Sequence, residues 1–134
     1  MQSRAQVALE FLLVFGALIA IMLALTPVFS AVLSRALQAI DDARAKAFTS
    51  ELENSLQKLS VFSDDSKLTL IAEPLGEWKL SFKDNKARIF ANKKEFLITS
   101  QMDFAYAIDF SINKRACVVL KRLANKIHIS IEHC

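Results

Sequence analysis

The sequence predicts an α+β protein in which a long N-terminal helix packs on a C-terminal antiparallel β-sheet domain. Three observations predict this fold. No charged residue occurs from Phe11 to Ser34. Apolar residues then recur in steps of three and four as far as Leu59, which is the spacing of one helix face. From Lys67 onward, apolar and polar residues alternate, as they do in half-buried strands.

The first half of the predicted helix has the length of a membrane span. The uncharged segment from Phe11 to Ser34 exceeds the roughly 20 residues that cross a bilayer as a helix. Pro27 lies inside it, where it either kinks or locally melts the helix or simply stands near the end of the span. We therefore expect a hydrophobic transmembrane helix over residues 6–34.

The second half, residues 35–62, is predicted to be an amphipathic helix. Gly and Pro are absent from residues 28–73, so the helix can continue from the membrane segment without a break. Charged residues between the apolar positions, including Asp41 and Asp42, are assigned to the solvated face. The predicted buried stripe consists of Leu33, Leu37, Ile40, Ala43, Ala47, Phe48, Leu52, Leu56 and Leu59.

The β domain is predicted over residues 63–134. Short connections between the strands favour an antiparallel meander with one apolar face, and the helix stripe is a candidate to cover that face. The predicted strands are 67–72, 77–83, 87–91, 95–100, 104–112, 116–123 and 127–133. The predicted turns are 74–76, 84–86, 92–94, 113–115 and 125–126. The aromatic residues assigned to the core are Trp78, Phe82, Phe90, Phe96, Phe104, Tyr106 and Phe110.

Two cysteines, Cys117 and Cys134, lie near the C-terminus. If Asn125 and Lys126 form a two-residue hairpin turn, the register places these cysteines opposite each other. A disulfide is therefore predicted, with two reduced thiols as the alternative. The bond would suit export to an oxidising compartment.

No residue pattern indicates an enzyme. The chain has no Ser-His-Asp set, phosphate-binding loop or convergent carboxylate pair, and the adjacent acids Asp41-Asp42 and Asp64-Asp65 are predicted to be solvated. The Cys and His residues near the C-terminus match no zinc-binding spacing, so neither a metal nor another cofactor is expected. The net charge of +3 arises from interspersed acids and bases, which gives no support to nucleic-acid binding.

A distinctive run, Arg-Ala-Gln-Val-Ala-Leu-Glu followed by apolar residues, begins at Arg4. It resembles the leader junction of archaeal class III (type IV pilin-like) prepilins, in which a glutamate follows a glutamine by four residues and precedes an apolar helix. Gln6 and Glu10 match this pattern. The chain departs from it with Ala8 where serine is usual and Val14 where leucine is usual.

The resemblance implies cleavage between Ala5 and Gln6 by a prepilin peptidase, so that residues 1–5 are the leader. It also implies that the Glu10 carboxylate meets the new α-amine of a neighbouring subunit. The small residues at four-residue steps would let helices approach closely in a filament core, unless they only reflect the abundance of alanine in membrane helices. These residues are Gly16, Ala20 and Ala24.

The function implied is that of a pilin or minor pilin, a structural subunit of an archaeal type IV pilus-like surface filament. It would be a single-pass membrane protein before assembly and an extracellular filament subunit afterwards. Its partners would be copies of itself or related pilins, the peptidase, an assembly ATPase with its membrane platform, and lipid. Two alternatives are a monomeric membrane-anchored binding domain and a secreted one, the latter with a signal peptide cut before Ala31.

Overall fold

The computed structural model describes the backbone of residues 2–134 and the side chains of residues 6–134. The predicted leader, with Ala5 at its end, lies outside the residues whose side chains are described. Within residues 2–134 the chain forms one α-helix and seven β-strands, which confirms the α+β class. The elements are α1 (Gln2–Val61), β1 (Lys67–Ala72), β2 (Trp78–Lys83), β3 (Lys86–Ala91), β4 (Lys94–Thr99), β5 (Ile108–Ile112), β6 (Ala116–Leu123) and β7 (Lys126–Glu132).

The chain divides into two compact units. The first unit ends at Leu37 and consists of the N-terminal part of α1. The second unit, Gln38–Cys134, contains the rest of α1 and the strands β1 to β7.

In the second unit, α1 buries one face against the strands. Its buried positions recur in steps of three and four and are Asp41, Ala45, Phe48, Leu52, Leu56 and Leu59, with Ser55 buried beside Leu56. The predicted stripe is right from Phe48 onward and wrong before it, because a helical repeat extended back from Phe48 reaches Asp41 and not Ile40. The predicted stripe residues that are exposed are Leu33, Leu37, Ile40, Ala43 and Ala47.

The strands form two antiparallel sheets. Sheet 1 has the order β1-β6-β7, and sheet 2 has the order β4-β3-β2-β5. In sheet 2 the consecutive strands β2, β3 and β4 are neighbours, and β5 returns to lie beside β2, which is a Greek-key order. The predicted single meander is therefore wrong. The difference arises because β1 pairs with β6 and not with its sequence neighbour β2. This pairing places Lys67 opposite Lys121.

The hairpin turns are built from residues with positive φ. Asn92 and Lys93 connect β3 to β4 with φ angles of 48° and 68°. Ala124 and Asn125 connect β6 to β7 with φ angles of 48° and 64°. Two successive residues with positive φ are the mark of a type I′ turn, whose twist matches that of the strands. The predicted turn at Asn125-Lys126 is therefore wrong by one residue.

The core of the second unit joins the helix to both sheets. Phe48 of α1 packs against Trp78 of β2 with ring centroids 5.8 Å apart, and Phe82 meets Phe104 edge-on at 5.2 Å. Trp78, Phe82 and Phe104 are buried, as predicted, and Phe96 and Phe110 are partly buried. The core assignment is wrong for Phe90 and Tyr106, which are 38% and 47% exposed. Phe90 alternates with buried neighbours on β3, so it points to the opposite face.

The predicted strand 104–112 is shorter than expected. Only Ile108–Ile112 is a strand, and Phe104 forms an isolated bridge to Ile127 of β7. The Ala105 N–H donates to the Ile127 carbonyl at 2.9 Å, and the Ile127 N–H donates to the Asp103 carbonyl at 3.0 Å. These bonds hold the segment 103–105 along β7, and Tyr106 follows directly after it.

Arg122 of β6 caps the C-terminal end of α1. Its Nη1 donates to the carbonyl oxygens of Leu59 and Ser60, both at 3.0 Å, and to that of Phe62. These carbonyls belong to the last turn of the helix and the residue after it, where the backbone has no helical partner and carries partial negative charge. The arginine therefore ties the helix end to sheet 1.

Candidate membrane and assembly segment

The apolar segment of the first unit exposes its side chains. Its large apolar residues are 45–72% exposed from Val7 to Leu33. Within the part of the chain that the structure describes, α1 is the one helix that is long and apolar enough to cross a membrane, and 18 of its residues have a mean hydropathy of 2.6. Exposed apolar surface on this scale marks a membrane or protein contact, since soluble monomers rarely carry it.

Glu10 stands at the N-terminal border of this apolar surface. It is exposed, and it lies one helical turn after Gln6, the first residue of the predicted mature chain. Among residues 6–134, no basic group lies within ion-pair distance of the Glu10 carboxylate, since the ion pairs of those residues involve other acids.

The small residues Gly16, Ala20 and Ala24 lie at four-residue steps and therefore on one face of α1. A methyl group added at Gly16 would meet no atom within 4 Å. This face is open in the single chain. Phe11 and Phe15, also four residues apart, stack with ring centroids 6.0 Å apart at the beginning of the segment.

Two hydroxyl groups of the apolar segment are satisfied by the backbone of the helix itself. Thr26 Oγ1 donates to the Met22 carbonyl at 2.9 Å, and Ser30 Oγ donates to the Pro27 carbonyl at 2.9 Å. Lipid offers no hydrogen-bond partner, so internal bonding of this kind suits a membrane environment. The helix continues through Pro27, so local melting, one of the predicted effects of this proline, does not occur.

Cys117 and Cys134 form a disulfide, with Cα atoms 5.3 Å apart. The register behind the prediction is wrong, however. Residue 117 lies opposite Glu132, and the final cysteine is two residues beyond that pair. The bond is therefore diagonal across the end of the β6–β7 hairpin, and it fastens the last residue of the chain to sheet 1.

The sequence interpretation missed the role of Asp41. Predicted to be solvated, it is only 2% exposed. Its Oδ1 accepts hydrogen bonds from the Leu75 N–H at 2.9 Å and from the Trp78 indole N–H at 3.0 Å, and its Oδ2 accepts one from the Asn92 amide at 2.9 Å. The carboxylate therefore joins the helix to two loops of the β domain. The available signal was its spacing, since Asp41 lies four residues before Ala45 and seven before Phe48.

Asp42, the next residue, pairs with Lys94 at the start of β4. The hydrogen bond from the Lys94 ammonium lowers the pKa of the Asp42 carboxyl from its usual 3.8, helped by the Asn92 amide, while partial desolvation opposes the shift. Asp64 and Asp65, the other adjacent acids, pair with Arg122 and Lys121 at 3.3 Å and 3.0 Å, and both are largely exposed.

Among the side chains that the structure describes, no group of three or more His, Cys, Asp or Glu residues is placed to hold a metal ion. Comparisons with protein-family models, with curated proteins and with solved structures found no match to this chain. The physical properties of the apolar segment and of the β domain are therefore the basis for assigning a function.

Proposed function

We propose that this chain is a structural subunit of a type IV pilus-like surface filament, a pilin or minor pilin, assembled through its N-terminal helix. The observation that carries the proposal is the exposed, uncharged apolar face that begins directly after Glu10. Its 24 residues from Phe11 to Ser34 span about 36 Å as a helix, enough for the ~30 Å hydrocarbon core of a bilayer. The same surface would be covered by neighbouring subunits once the chain leaves the membrane.

Glu10 supplies the specificity of assembly in this proposal. A carboxylate in an apolar span costs roughly 2.5–3.5 kcal/mol at the centre of a bilayer and less near the end, so it is retained where it has a function. Cleavage before Gln6 creates an α-amine of opposite charge. Pairing of that amine with Glu10 of an adjacent subunit would neutralise both groups in the apolar core and set the axial stagger.

The open face at Gly16, Ala20 and Ala24 supports close packing of helices in that core. Small side chains let two backbones approach, so that dispersion contacts and weak hydrogen bonds can act between helices that have no hydrophobic driving force in lipid. The proposed partners are therefore copies of this chain or related pilins. A prepilin peptidase, an assembly ATPase and a membrane platform would act before and during polymerisation.

The disulfide supports the proposed topology, with the N-terminus in the cytoplasm and the β domain outside. Structural disulfides persist in oxidising compartments and are rare in the cytosol of mesophiles. The bond between Cys117 and Cys134 ties residue 134 to β6 of the β domain. A domain that forms this bond outside the membrane is suited to exposure on a filament surface.

The mature N-terminal residue, determined by mass spectrometry of membrane and sheared surface fractions, tests the proposal directly. We expect Gln6. A chain beginning at Ala31 would identify a secreted protein, and one beginning at Met1 would identify an uncleaved membrane anchor. Either result would contradict processing as a prepilin.

Glu10→Ala tests assembly separately from processing. We expect normal expression, membrane insertion and β-domain folding, because the substitution removes a charge from an apolar span. Filaments should be lost in electron micrographs and in shear fractions. Glu10→Gln should be intermediate, since an amide keeps hydrogen bonding but loses the charge-assisted part, which is about half of the bond strength.

Glu53→Ala is the matched control, because it removes an exposed carboxylate from the same helix outside the apolar segment. Normal filaments from Glu10→Ala would exclude the charge-pairing mechanism. Equal loss of filaments from both variants would show that Glu10 has no special role in assembly.

A further inference from the structure

Sheet 1 carries a row of nitrogen-bearing side chains across its outer face. The register places Lys67 of β1 opposite Lys121 of β6, and Lys121 opposite His128 of β7. All three line one cavity of about 400 Å³. Its volume falls in the range of about 300–1,000 Å³ that is typical of small-molecule sites.

Lys67 and Lys121 differ in whether a carboxylate lies close to the positively charged ammonium group. Lys121 Nζ lies 3.0 Å from Asp65 Oδ1, whereas no carboxylate of residues 6–134 lies within ion-pair distance of Lys67. Like charges directly opposite each other on neighbouring strands destabilise a sheet. The Lys67 ammonium therefore has no carboxylate at ion-pair distance, and an anionic group bound beside it would supply one.

The next row of the sheet gives the cavity an apolar floor. Val119 lies two residues from Lys121 on the same face and is only 4% exposed. Tyr106 forms a wall that is 47% exposed, with its ring edge-on to His128 at a centroid distance of 5.6 Å. The Tyr106 hydroxyl donates to the Ile129 carbonyl at 3.3 Å, which holds the ring in place.

Hydrogen-bond acceptors complete the lining. The carboxylates of Asp65 and Glu132 and the hydroxyl of Ser130 border the same cavity. A bare phosphate or sulfate ion has too few donors to meet two carboxylates, and a neutral sugar leaves the charge of Lys67 unopposed. A ligand that fits combines a carboxylate, several hydroxyl groups and an apolar ring face.

We propose that this cavity binds a monosaccharide that carries a carboxylate, of the uronic acid class. The carboxylate pairs with the ammonium groups of Lys67 and Lys121. The hydroxyl groups donate to Asp65 and Glu132, and the C–H face of the ring packs against Tyr106. The site lies within residues 38–134, so it does not depend on filament assembly and applies equally to a monomeric anchored protein.

Tyr106 is the sole tyrosine of the chain, so a ring-¹³C tyrosine label reports on this cavity alone. The full chain would be titrated by NMR in micelles of a polyoxyethylene detergent, which carries no sugar headgroup. The probes are glucuronic acid, glucose and acetate. We expect glucuronic acid to give a saturable shift of the Tyr106 signal with an affinity at least about tenfold above that of glucose, since a charged hydrogen bond adds that much. Its affinity should also exceed that of acetate by about tenfold, because acetate has no hydroxyl groups for Asp65 and Glu132 and no ring face for Tyr106.

Lys67→Met should weaken glucuronic acid binding by about tenfold or more while the thermal midpoint does not fall, because it removes a like-charge contact. Lys67→Arg keeps the charge and should retain binding. Lys79→Met, on an exposed position of sheet 2, is the matched control and should bind as the wild type does. No saturable shift in the wild type would overturn the proposal. Equal affinity for acetate, or equal weakening by Lys79→Met, would do so as well.

Discussion

Replacing Asp41 with alanine removes the acceptor for three hydrogen bonds in the second unit. The Trp78 indole N–H is buried with its residue, and the Leu75 N–H is partly buried. Each buried donor left without a partner costs about 1–3 kcal/mol, whereas the more exposed Asn92 amide can turn to water. We therefore expect Asp41→Ala to lower the free energy of unfolding by about 3 kcal/mol or more.

For the 97 residues from Gln38 to Cys134, that loss lowers the thermal midpoint by about 12 °C or more. Asp41→Asn should cost less, about 1–2 kcal/mol, because its amide oxygen can still accept from Leu75 and Trp78. Unfolding of the full chain in detergent micelles, without reductant, would be followed by the fluorescence of Trp78, the sole tryptophan.

Asp42→Ala is the matched control, since it removes the adjacent carboxylate, whose bonds are at the surface. It should destabilise the unit less than Asp41→Ala does. Ordinary surface substitutions change the free energy of unfolding by less than about 0.5 kcal/mol. If Asp41→Ala changes it by no more than that, the buried carboxylate does not hold the helix to the β domain.

Three further predictions concern the same unit. Arg122→Met should lower the free energy of unfolding by about 2 kcal/mol in urea titrations, because the carbonyls at the end of α1 lose a charged donor. The lowered pKa of Asp42 means that its pairing with Lys94 stabilises the fold above about pH 4 and that this contribution disappears as the pH falls further. Thermal midpoints of the wild type and Asp42→Asn should therefore converge in acid, and a constant difference would refute the coupling. Replacing Cys117 and Cys134 together with serine should cost about 3 kcal/mol, the value for a loop of this length.

Local patterns in the sequence were sufficient to predict most of the secondary structure, although the predicted strand 104–112 began four residues too early. The strands β1 and β6 were predicted with the bounds that the structure has, because alternation and turn residues act within a few positions. Strand pairing could not be predicted in the same way. Antiparallel neighbours are the usual outcome of short connections, yet β1 pairs with the distant β6. The pairing of β1 with β6 depends on the burial of the apolar faces of all seven strands together, which no local pattern describes.

The β6–β7 register illustrates a second limit. The predicted and observed registers differ by two residues, so both leave the same side chains on the inner face. The observed register places Ile129 opposite Leu120 and Ile131 opposite Val118, whereas the predicted one would place His133 opposite Val118. The matching of apolar pairs across the strands favours the observed register over the predicted one. The predicted register was wrong because it assumed that the two cysteines lie directly opposite each other.

The sequence predicted the membrane-length helix but neither the buried Asp41 nor the outer-face cavity, and each outcome has a physical reason. An uncharged apolar segment is visible in any sequence because its signal is continuous, so the membrane-length helix was found. Asp41 was missed because an acidic residue is assigned to solvent unless its partners are known, and those partners lie 34 to 51 residues further along the chain. The outer-face cavity was missed because its lysines belong to strands whose pairing was not foreseen.

The pairing of β1 with β6 also determines when the second unit can fold. During synthesis from the N-terminus, α1, β1 and the Greek-key strands emerge first, but β1 has no partner until β6 follows. Such non-local pairing is slow, on the order of milliseconds to seconds, because a long loop must close before any contact forms. A chain truncated before Ala116 would therefore keep β1 as an unpaired edge and leave Leu70 without cover, open to pairing with other chains. Formation of the β6–β7 hairpin is thus the step that provides β1 with its partner strand.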